Sequence, residues 1–323
     1  MAEPAIDIQQ VRKSFDGHVA VRNLSLQVPS GTVYGLLGPN GAGKTTTIRM
    51  ILDIIEPDSG TISIFGHSSI HGRDGNRIGY LPEERGLYKK MQVRRVLRFL
   101  AELKGVNGRE ADKRIERWLA RLSLTGADKD WGNARVEELS RGMQQKVQFI
   151  GALVHDPDVV ILDEPFSALD PINAQALKDI IIELKRAGKT VIFSTHLMES
   201  AERLCDAVCI IAQGTKLVDG TLAEVRQAHG IRQVALAFEG GADGPTARVL
   251  RDPAFVQHVD DSNQVIEVDL APSADPQRLL RALIDAGAIV QRFELVQPSL
   301  HRVFVDRVSA LTPNGHPAGG ADA

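Results

Sequence analysis

Short runs of apolar, mostly β-branched residues alternate with longer segments of helical periodicity over about the first 225 residues. In the segment 96–103 the apolar positions are 96, 97, 100 and 103, which is the spacing of one helix face. Strands that alternate with helices predict βαβ units and a largely parallel sheet, and therefore an α/β fold. The predicted strands are Ile6–Val11, Val33–Leu37, Val159–Leu162, Val191–Ser194 and Ala207–Ile211.

One long stretch inside this region lacks a strand pattern. From about residue 88 to 153 the periodicity is helical, with apolar positions at 115, 118, 119 and 122 in one part of it. This predicts a helical subdomain that is inserted into a domain spanning residues 5–226.

The pattern changes near residues 226–231 and indicates a second domain over residues 230–310. Its predicted βαββαβ order is typical of a small ferredoxin-like α+β domain. Residues 311–323 have no periodicity and are expected to form a disordered tail. The predicted elements are a strand (Gln233–Phe238), a helix (Pro245–Arg251), a hairpin turning at Asp261-Ser262-Asn263, a helix (Pro276–Ala286), a strand (Ile289–Leu295) and a short helix (Leu300–Val308).

Composition narrows the class of protein. The 323 residues include 38 Lys+Arg and 41 Asp+Glu, so the net charge of −3 gives no field that favours nucleic acid as a partner. The two cysteines cannot form a disulfide framework, and no stretch approaches about 18 consecutive apolar residues. Since no signal peptide is recognisable, we expect a cytoplasmic protein that does not span a membrane by itself.

A glycine-rich motif gives the first functional indication. Gly38-Pro39-Asn40-Gly41-Ala42-Gly43-Lys44-Thr45 fits the phosphate-binding loop G-x-x-x-x-G-K-[ST]. Glycines let backbone N–H groups surround phosphates, and the helix that follows directs its positive dipole end towards them. We expect Lys44 to reach the β- and γ-phosphates, the Thr45 hydroxyl to bind Mg²⁺, and Thr46 to contact the nucleotide. A strand leads into the loop and a helix over 46–55 leads out, which disfavours an ordinary glycine-rich turn.

A second motif supplies the carboxylates that a phosphate-bound metal requires. The apolar strand Val159–Leu162 is followed directly by Asp163 and Glu164. Asp163 would hold Mg²⁺ through water, and Glu164 would polarise the water that attacks the γ-phosphate. An apolar strand followed by two acids is, taken alone, equally an ordinary strand end, and the phosphate loop is what favours the functional interpretation.

With these motifs, the chain resembles the nucleotide-binding domains of the ATP-binding cassette (ABC) family over about residues 5–225. The segment Leu139-Ser140-Arg141-Gly142-Met143-Gln144 is similar to the family signature Leu-Ser-Gly-Gly-Gln, from which Arg141 and Met143 depart. Independently of the family, Ser140 is a favourable N-cap for a helix that begins at Arg141. Three further resemblances are Ser167–Asp170 to the D-loop, His196 to the switch histidine, and Phe15 to the aromatic residue that stacks on adenine.

The resemblance implies a P-loop NTPase that hydrolyses ATP, with ATP and Mg²⁺ as cofactors and Glu164, His196 and Lys44 as catalytic residues. In the family, the signature of one chain faces the phosphate loop of another. A second copy of this chain would therefore complete each site, and Ser140, Gly142, Met143 and Asp170 would contact the nucleotide. The family also implies membrane-spanning permease subunits, encoded separately, that attach the chain to the cytoplasmic face of a membrane.

One position departs from the usual family pattern. The family has a glutamine after the strand Ile78–Leu81, whereas this chain has Glu83 in the run Leu81-Pro-Glu-Glu-Arg-Gly-Leu-Tyr88. Either this change marks a loss of function or Glu83 binds Mg²⁺ in place of the glutamine. We favour the second, because residues 80–88 and 139–149 are similar to the sodium-extrusion (NatA-like) subgroup of ABC exporters.

Other functions stay open at this point. A soluble ABC ATPase acting on ribosomes, DNA or an assembly complex is disfavoured by the single cassette and the near-neutral charge. A non-hydrolysing regulator is disfavoured because the phosphate and water contacts are all present. The resemblance suggests sodium as the substrate, but similar cassettes serve exporters of drugs, lipids or polysaccharides.

Overall fold

The chain folds as two units, Met1–Leu222 and Ala223–Ala323. The computed structural model describes residues 3–68, 75–84, 86–126, 129–167, 169–229, 232–239, 245–260 and 265–311. Within these ranges, no helix is both long enough and apolar enough to cross a membrane.

The first unit contains nine strands and six α-helices among its described residues. The strands are β1 (Ile6–Phe15), β2 (His18–Val28), β3 (Val33–Leu37), β4 (Ser59–Ile64), β5 (Ile78–Leu81), β6 (Val159–Asp163), β7 (Thr190–Thr195), β8 (Ala207–Ala212) and β9 (Thr215–Thr221). The helices are α1 (Lys44–Ile51), α2 (Val93–Leu103), α3 (Gly108–Arg121), α4 (Arg141–Leu153), α5 (Pro171–Arg186) and α6 (Met198–Leu204).

A six-stranded sheet places the phosphate loop and the Asp163–Glu164 pair at the same end of its strands. Its order is β5-β6-β7-β3-β8-β9, and all neighbours are parallel except β9, which runs antiparallel to β8. Strands β3, β6, β7 and β8 are buried at every position, as expected for a parallel sheet covered on both faces. The carboxyl ends of parallel strands meet at one edge, so the residues after β3, β6 and β7 lie close together. The predicted α/β fold with a largely parallel sheet is confirmed.

The apolar runs do not predict the second sheet of this unit. This sheet is antiparallel, in the order β2-β1-β4, and it contains the predicted strand Ile6–Val11, extended to Phe15. In the second half of strand β2, buried Leu24, Leu26 and Val28 alternate with more accessible residues, as in β-strands with one solvated face. Continuous apolar runs are the signal of buried parallel strands, and they miss strands of this kind.

Two helix predictions need correction. Helix α1 ends at Ile51 rather than at Ile55, because Asp53 takes a left-handed φ of 56° that no helix continues. The segment 88–153 is not helical throughout, since turns and short 3₁₀ segments connect α2, α3 and α4. In this segment Arg94 pairs with Glu116 of α3 and with Asp130, at 2.6 and 2.7 Å.

The second unit has four strands and four α-helices among its described residues. Its sheet has the order β11-β12-β10-β13 with every neighbouring pair antiparallel, which is the ferredoxin-like arrangement of a βαββαβ unit. Apolar residues of β10 and β12 pack against Leu279 and Leu283 of α9 to form its core. The elements are α7 (Leu222–His229), β10 (Gln233–Phe238), α8 (Pro245–Leu250), β11 (Val256–Asp260), β12 (Ile266–Leu270), α9 (Pro276–Asp285), β13 (Val290–Val296) and α10 (Leu300–Leu311).

The sequence predicts the bounds of these elements to within a few residues. The strand Gln233–Phe238 has the predicted bounds, and the last helix continues to Leu311, three residues beyond the predicted end and into the expected tail. The expected hairpin turn at 261–263 and the rest of the tail, 312–323, lie outside the described residues.

Candidate functional site

The loop between β3 and α1 has a backbone that requires glycine at two positions. Gly38 has a φ of 152°, and a β-carbon there would lie 2.1 Å from the carbonyl oxygen of Ile211. Gly43 has a φ of 104°, and its β-carbon would lie 2.5 Å from the carbonyl oxygen of Ala20. Side chains are therefore excluded at both positions, and the loop can present its N–H groups to a bound anion.

The N-terminus of α1 is open to a ligand. Gly43 is its N-cap residue, and no side chain caps the first turn. The unpaired N–H groups of a helix start carry a partial positive charge, which suits phosphate. Beside them, the Lys44 ammonium group donates hydrogen bonds to the carbonyl oxygens of Gly38 (2.8 Å) and Pro39 (3.2 Å). These bonds hold the Lys44 charge over the loop.

Ser194 near the end of β7 orders two carboxylates, that of Asp163 at the end of β6 and that of Glu164 directly after it. Its hydroxyl donates a hydrogen bond to Oδ1 of Asp163 and accepts one from the backbone N–H of Glu164, at 3.0 Å. No sequence motif indicates this role of Ser194. The sequence signal that could indicate such a role is a polar residue near the end of a buried, mostly apolar parallel strand.

Glu164 connects the phosphate loop to His196. Its Oε1 lies 3.6 Å from Nζ of Lys44 and 3.0 Å from Nδ1 of His196, and its side chain is 8% exposed. Glu164 also has a left-handed φ of 48°, a backbone conformation that costs of the order of 1–3 kcal/mol for a non-glycine residue. Such strain persists where the surroundings impose it, and it occurs often at functional sites.

A cleft of about 470 Å³ opens over the phosphate loop. Its lining contains much of the predicted site: residues 40–46, Glu83 and Glu164. His18 and Ala20 also line the cleft, and the sequence does not predict them as site residues because β2 carries no motif. The structure thus brings Glu83, Glu164 and the phosphate loop together.

The residues around the cleft fit a magnesium ion. Asp163 is fully buried, and its Oδ2 has no hydrogen-bond partner among the described residues. A buried carboxylate oxygen without a partner is destabilising unless a cation or a cation-bound water approaches it. Oxygen ligands from carboxylates and a hydroxyl are also what Mg²⁺ prefers. No group of three or more His, Cys, Asp or Glu residues forms a metal site by itself within the described ranges.

The remaining predicted residues lie outside this lining. Ser140 caps α4 by accepting a hydrogen bond from the backbone N–H of Met143 (3.3 Å), with Gly142 in the same first turn. Asp170 caps α5 in the same way through Asn173 (2.9 Å). Within the described residues of the cleft, none comes from these two helix starts. One chain alone therefore does not bring the signature segment into its own cleft.

Phe15 has an exposed ring at the end of β1. Its side chain is 45% exposed, and Nζ of Lys13 lies 5.5 Å from the ring centroid. Asp58 anchors this strand end by accepting hydrogen bonds from Ser14 (2.6 Å to the hydroxyl) and Lys13 (3.0 Å). These hydrogen bonds lower the pKa of Asp58 to about 2, and the bond from Ser14 has the largest effect. The Asp58 carboxylate that anchors the strand end is therefore ionised at neutral pH.

We expect Phe15→Ala to weaken ATP binding roughly tenfold, because stacking of a base on an aromatic ring contributes about 1–3 kcal/mol. Isothermal titration with ATP measures this effect, and Phe15→Tyr is the matched control that keeps the ring. Tripolyphosphate, which has no base, should bind both variants as it binds the native chain. Equal losses for ATP and tripolyphosphate would contradict adenine stacking.

Comparison with known proteins identifies the family. The model of the ABC transporter family matches residues 21–167, and that of the DrrA1-3-like ATP-binding protein C-terminal domain matches residues 220–308. The uncharacterised ABC transporter ATP-binding protein YhaQ of Bacillus subtilis is 41% identical over 95% of this chain and 99% of its own length. The chain belongs to the ABC transporter ATP-binding proteins.

Two other relatives of this ABC subunit have more specific names. The Nod factor export ATP-binding protein I of Burkholderia lata is 36% identical over 81% of this chain and 84% of its own length. The ABC transporter ATP-binding protein NatA of Bacillus subtilis is 39% identical over 65% of this chain and 85% of its own length. The resemblance to the NatA-like subgroup that the sequence motifs indicate is thus found again over 65% of the chain.

Solved structures agree on the fold of the ABC subunit. An ATP-binding subunit of an ABC transporter is 30% identical over 70% of this chain and 93% of its own length, with a TM-score of 0.63. A dimeric ATP-binding cassette in a post-hydrolysis state, bound to ADP and Pi, has a TM-score of 0.62 over 67% of this chain and 98% of its own length. Because the two sequences are only 23% identical, this similarity supports the fold alone. The chain is therefore an ATP-binding and ATP-hydrolysing subunit of an ABC transporter.

Proposed function

We propose that this subunit drives export, and that Glu164 is the general base of its ATP hydrolysis. The observation that carries the proposal is the position of Glu164 in the lining of the phosphate-loop cleft, within contact distance of both Lys44 and His196. A carboxylate there can accept a proton from water that attacks the γ-phosphate. The contact to His196 orients this carboxylate, and Lys44 stabilises the negative charge of the phosphates.

Mg²⁺ would be held by Thr45, Asp163 and Glu83 in this proposal. The ion would supply charge neutralisation for the β- and γ-phosphates. Asp163 is kept in place by the Ser194 hydroxyl, and its unpartnered Oδ2 supports the assignment. Glu83 is supported by its position in the same cleft as Thr45.

Glu83→Gln tests the role of Glu83. We expect the Mg²⁺ concentration for half-maximal ATP hydrolysis to rise severalfold, since a neutral amide binds a hard cation less strongly than a carboxylate does. The adjacent Glu84→Gln is the matched control, and it should leave the Mg²⁺ dependence unchanged. If Glu83→Gln kept or raised both Mg²⁺ affinity and turnover, the assignment of Glu83 would be wrong.

Two copies of the chain would form two composite sites. Ser140, Gly142 and Met143 of one copy would face the phosphate loop of the other, with Asp170 nearby, in the arrangement that the family resemblance implies. The support from the structure is that the described starts of α4 and α5 contribute nothing to the cleft of their own chain. A helix start with a serine cap is suited to a γ-phosphate.

The export direction rests on similarity to a Nod factor export protein and on the NatA-like motifs. We infer that separate permease subunits hold the chain at the cytoplasmic face of the membrane, and sodium is the first substrate to test. Everted membrane vesicles that contain the native chain should take up ²²Na⁺ when ATP is supplied, whereas vesicles with Glu164→Gln should not. Equal uptake with both chains would exclude sodium export by this subunit.

A further inference from the structure

The second unit contains a cavity of about 500 Å³, similar in size to the nucleotide cleft of the first unit. It lies where β10 begins and β13 ends, and α7 forms another side. The registered pair Gln233 and Val296 marks this end of the sheet. A volume of this size lies within the range of small-molecule sites, about 300–1,000 Å³.

Positively charged and amide side chains belong to the lining of this cavity. Arg226 and Gln227 come from neighbouring positions on α7, and Arg232 immediately precedes β10. Arg232 donates to the carbonyl oxygen of Ala274 at 3.1 Å, which uses one of the five N–H donors of a guanidinium group. Gln297 adds a further amide after β13. Arginine presents paired donors that match the geometry of carboxylate and phosphate groups.

Negative charge is missing from the described lining of the cavity, where no Asp or Glu occurs. The nearby carboxylate of Asp269 is buried, and both of its oxygens already accept hydrogen bonds within the protein. It accepts hydrogen bonds from Gln233 (2.6 Å) and Arg302 (3.0 Å), and the Arg302 charge compensates its own. The formal charge of the described lining is therefore positive, from Arg226 and Arg232, and such a charge favours an anion.

Apolar residues also belong to the lining. They include Leu295, which is 58% exposed, and Val296, which is the last residue of β13. A lining that combines cationic donors with aliphatic groups suits a ligand with an anionic head and an apolar portion. The site differs from the nucleotide cleft, because its described lining offers neither a glycine-rich loop nor a carboxylate for a metal.

We propose that this cavity binds a free small molecule that carries a phosphate or carboxylate group next to a short aliphatic chain. The C-terminal unit is then a ligand-binding domain appended to the ATPase. The proposal does not depend on the export direction or on the catalytic role of Glu164.

Calorimetric titration of the full chain with butyl phosphate and with pentanoate tests this proposal. A saturating non-hydrolysable ATP analogue with Mg²⁺ keeps the phosphate loop occupied. We expect at least one probe to bind, and Arg226→Gln/Arg232→Gln to weaken it about tenfold or more, as the loss of charge-assisted hydrogen bonds predicts. Methyl phosphate or acetate should bind severalfold more weakly than its longer homologue, because it buries less aliphatic surface.

The matched control is Arg281→Gln, which removes an exposed arginine of α9 that does not line the cavity. It should bind the probe as the native chain does. Gln297→Glu, at an exposed position, keeps the proposal testable if the double variant fails to fold, since the added carboxylate should repel the anion. Circular dichroism and ATP turnover verify that each variant is folded.

Three results would overturn the proposal. Absence of binding by both probes excludes the site, and unchanged binding by the folded Gln297→Glu and Arg226→Gln/Arg232→Gln chains places the ligand elsewhere. An equal loss in Arg281→Gln would indicate general charge attraction. If only vesicles with phosphatidic acid retained the chain and the free probes did not bind, a membrane surface would replace the small molecule.

Discussion

Replacement of Glu164 by Gln is expected to lower ATP turnover at least about 100-fold while ATP still binds. General-base catalysis contributes about 10²–10⁴ in rate, and the amide cannot accept the proton of the attacking water. The substitution keeps the size of the side chain, and Lys44 and the glycine backbone still hold the phosphates. Phosphate release measures turnover, and equilibrium binding of labelled ATP measures affinity.

Glu199→Gln is the matched control for this experiment. Glu199 is an exposed glutamate in the first turn of α6, only three residues after His196, and it does not line the cleft. ATP turnover by the Glu199→Gln variant should equal that of the native chain. Substantial hydrolysis by Glu164→Gln would show that another group, or no protein group, acts as the base.

A mixture of two inactive variants is expected to recover activity if the sites are composite. Lys44→Ala removes the cation that is bonded to Gly38 and Pro39, and Ser140→Arg places a bulky charge at the start of α4. In a mixed dimer both defects fall in one site, and the other site combines native Lys44 with native Ser140. Each variant alone should lose at least about 100-fold in turnover, because every one of its sites is damaged.

With random exchange of subunits, the mixture should recover roughly a quarter of native turnover, since about half of the dimers are mixed and each has one intact site. A mixture of Lys44→Ala with Lys44→Ala/Ser140→Arg is the control, because it creates no intact site. If the first mixture stayed as inactive as its components, each chain would have to form its site without a partner's signature.

The chemistry of the cassette could be predicted from the sequence because a few motifs fix it locally. A glycine-rich loop followed by Lys44 requires a particular backbone, and the φ of 104° at Gly43 fulfils it. Asp163 and Glu164 directly follow the apolar run Val159–Leu162, so their position at the carboxyl end of the sheet follows from that strand. These signals depend on neighbours in the sequence and on little else.

Features that depend on contacts between distant residues could not be predicted in this way. Ser194 orders Asp163 and Glu164 from 30 and more positions away, and nothing in its own segment specifies that contact. His18 lines the cleft because the antiparallel sheet folds back against the phosphate loop. The end of α1 depends on the left-handed conformation of Asp53, for which apolar periodicity gives no signal.

The most direct test of the central claim is to isolate the subunit with its partners from native membranes. A tagged Glu164→Gln chain, extracted with mild detergent and ATP, should co-purify with a second copy of itself and with a stoichiometric protein that has several membrane spans. A tagged Lys44→Ala/Glu164→Gln chain is the control, and it should retain less of the second copy. Recovery of soluble partners only, or of the chain alone, would contradict the assignment to a membrane exporter.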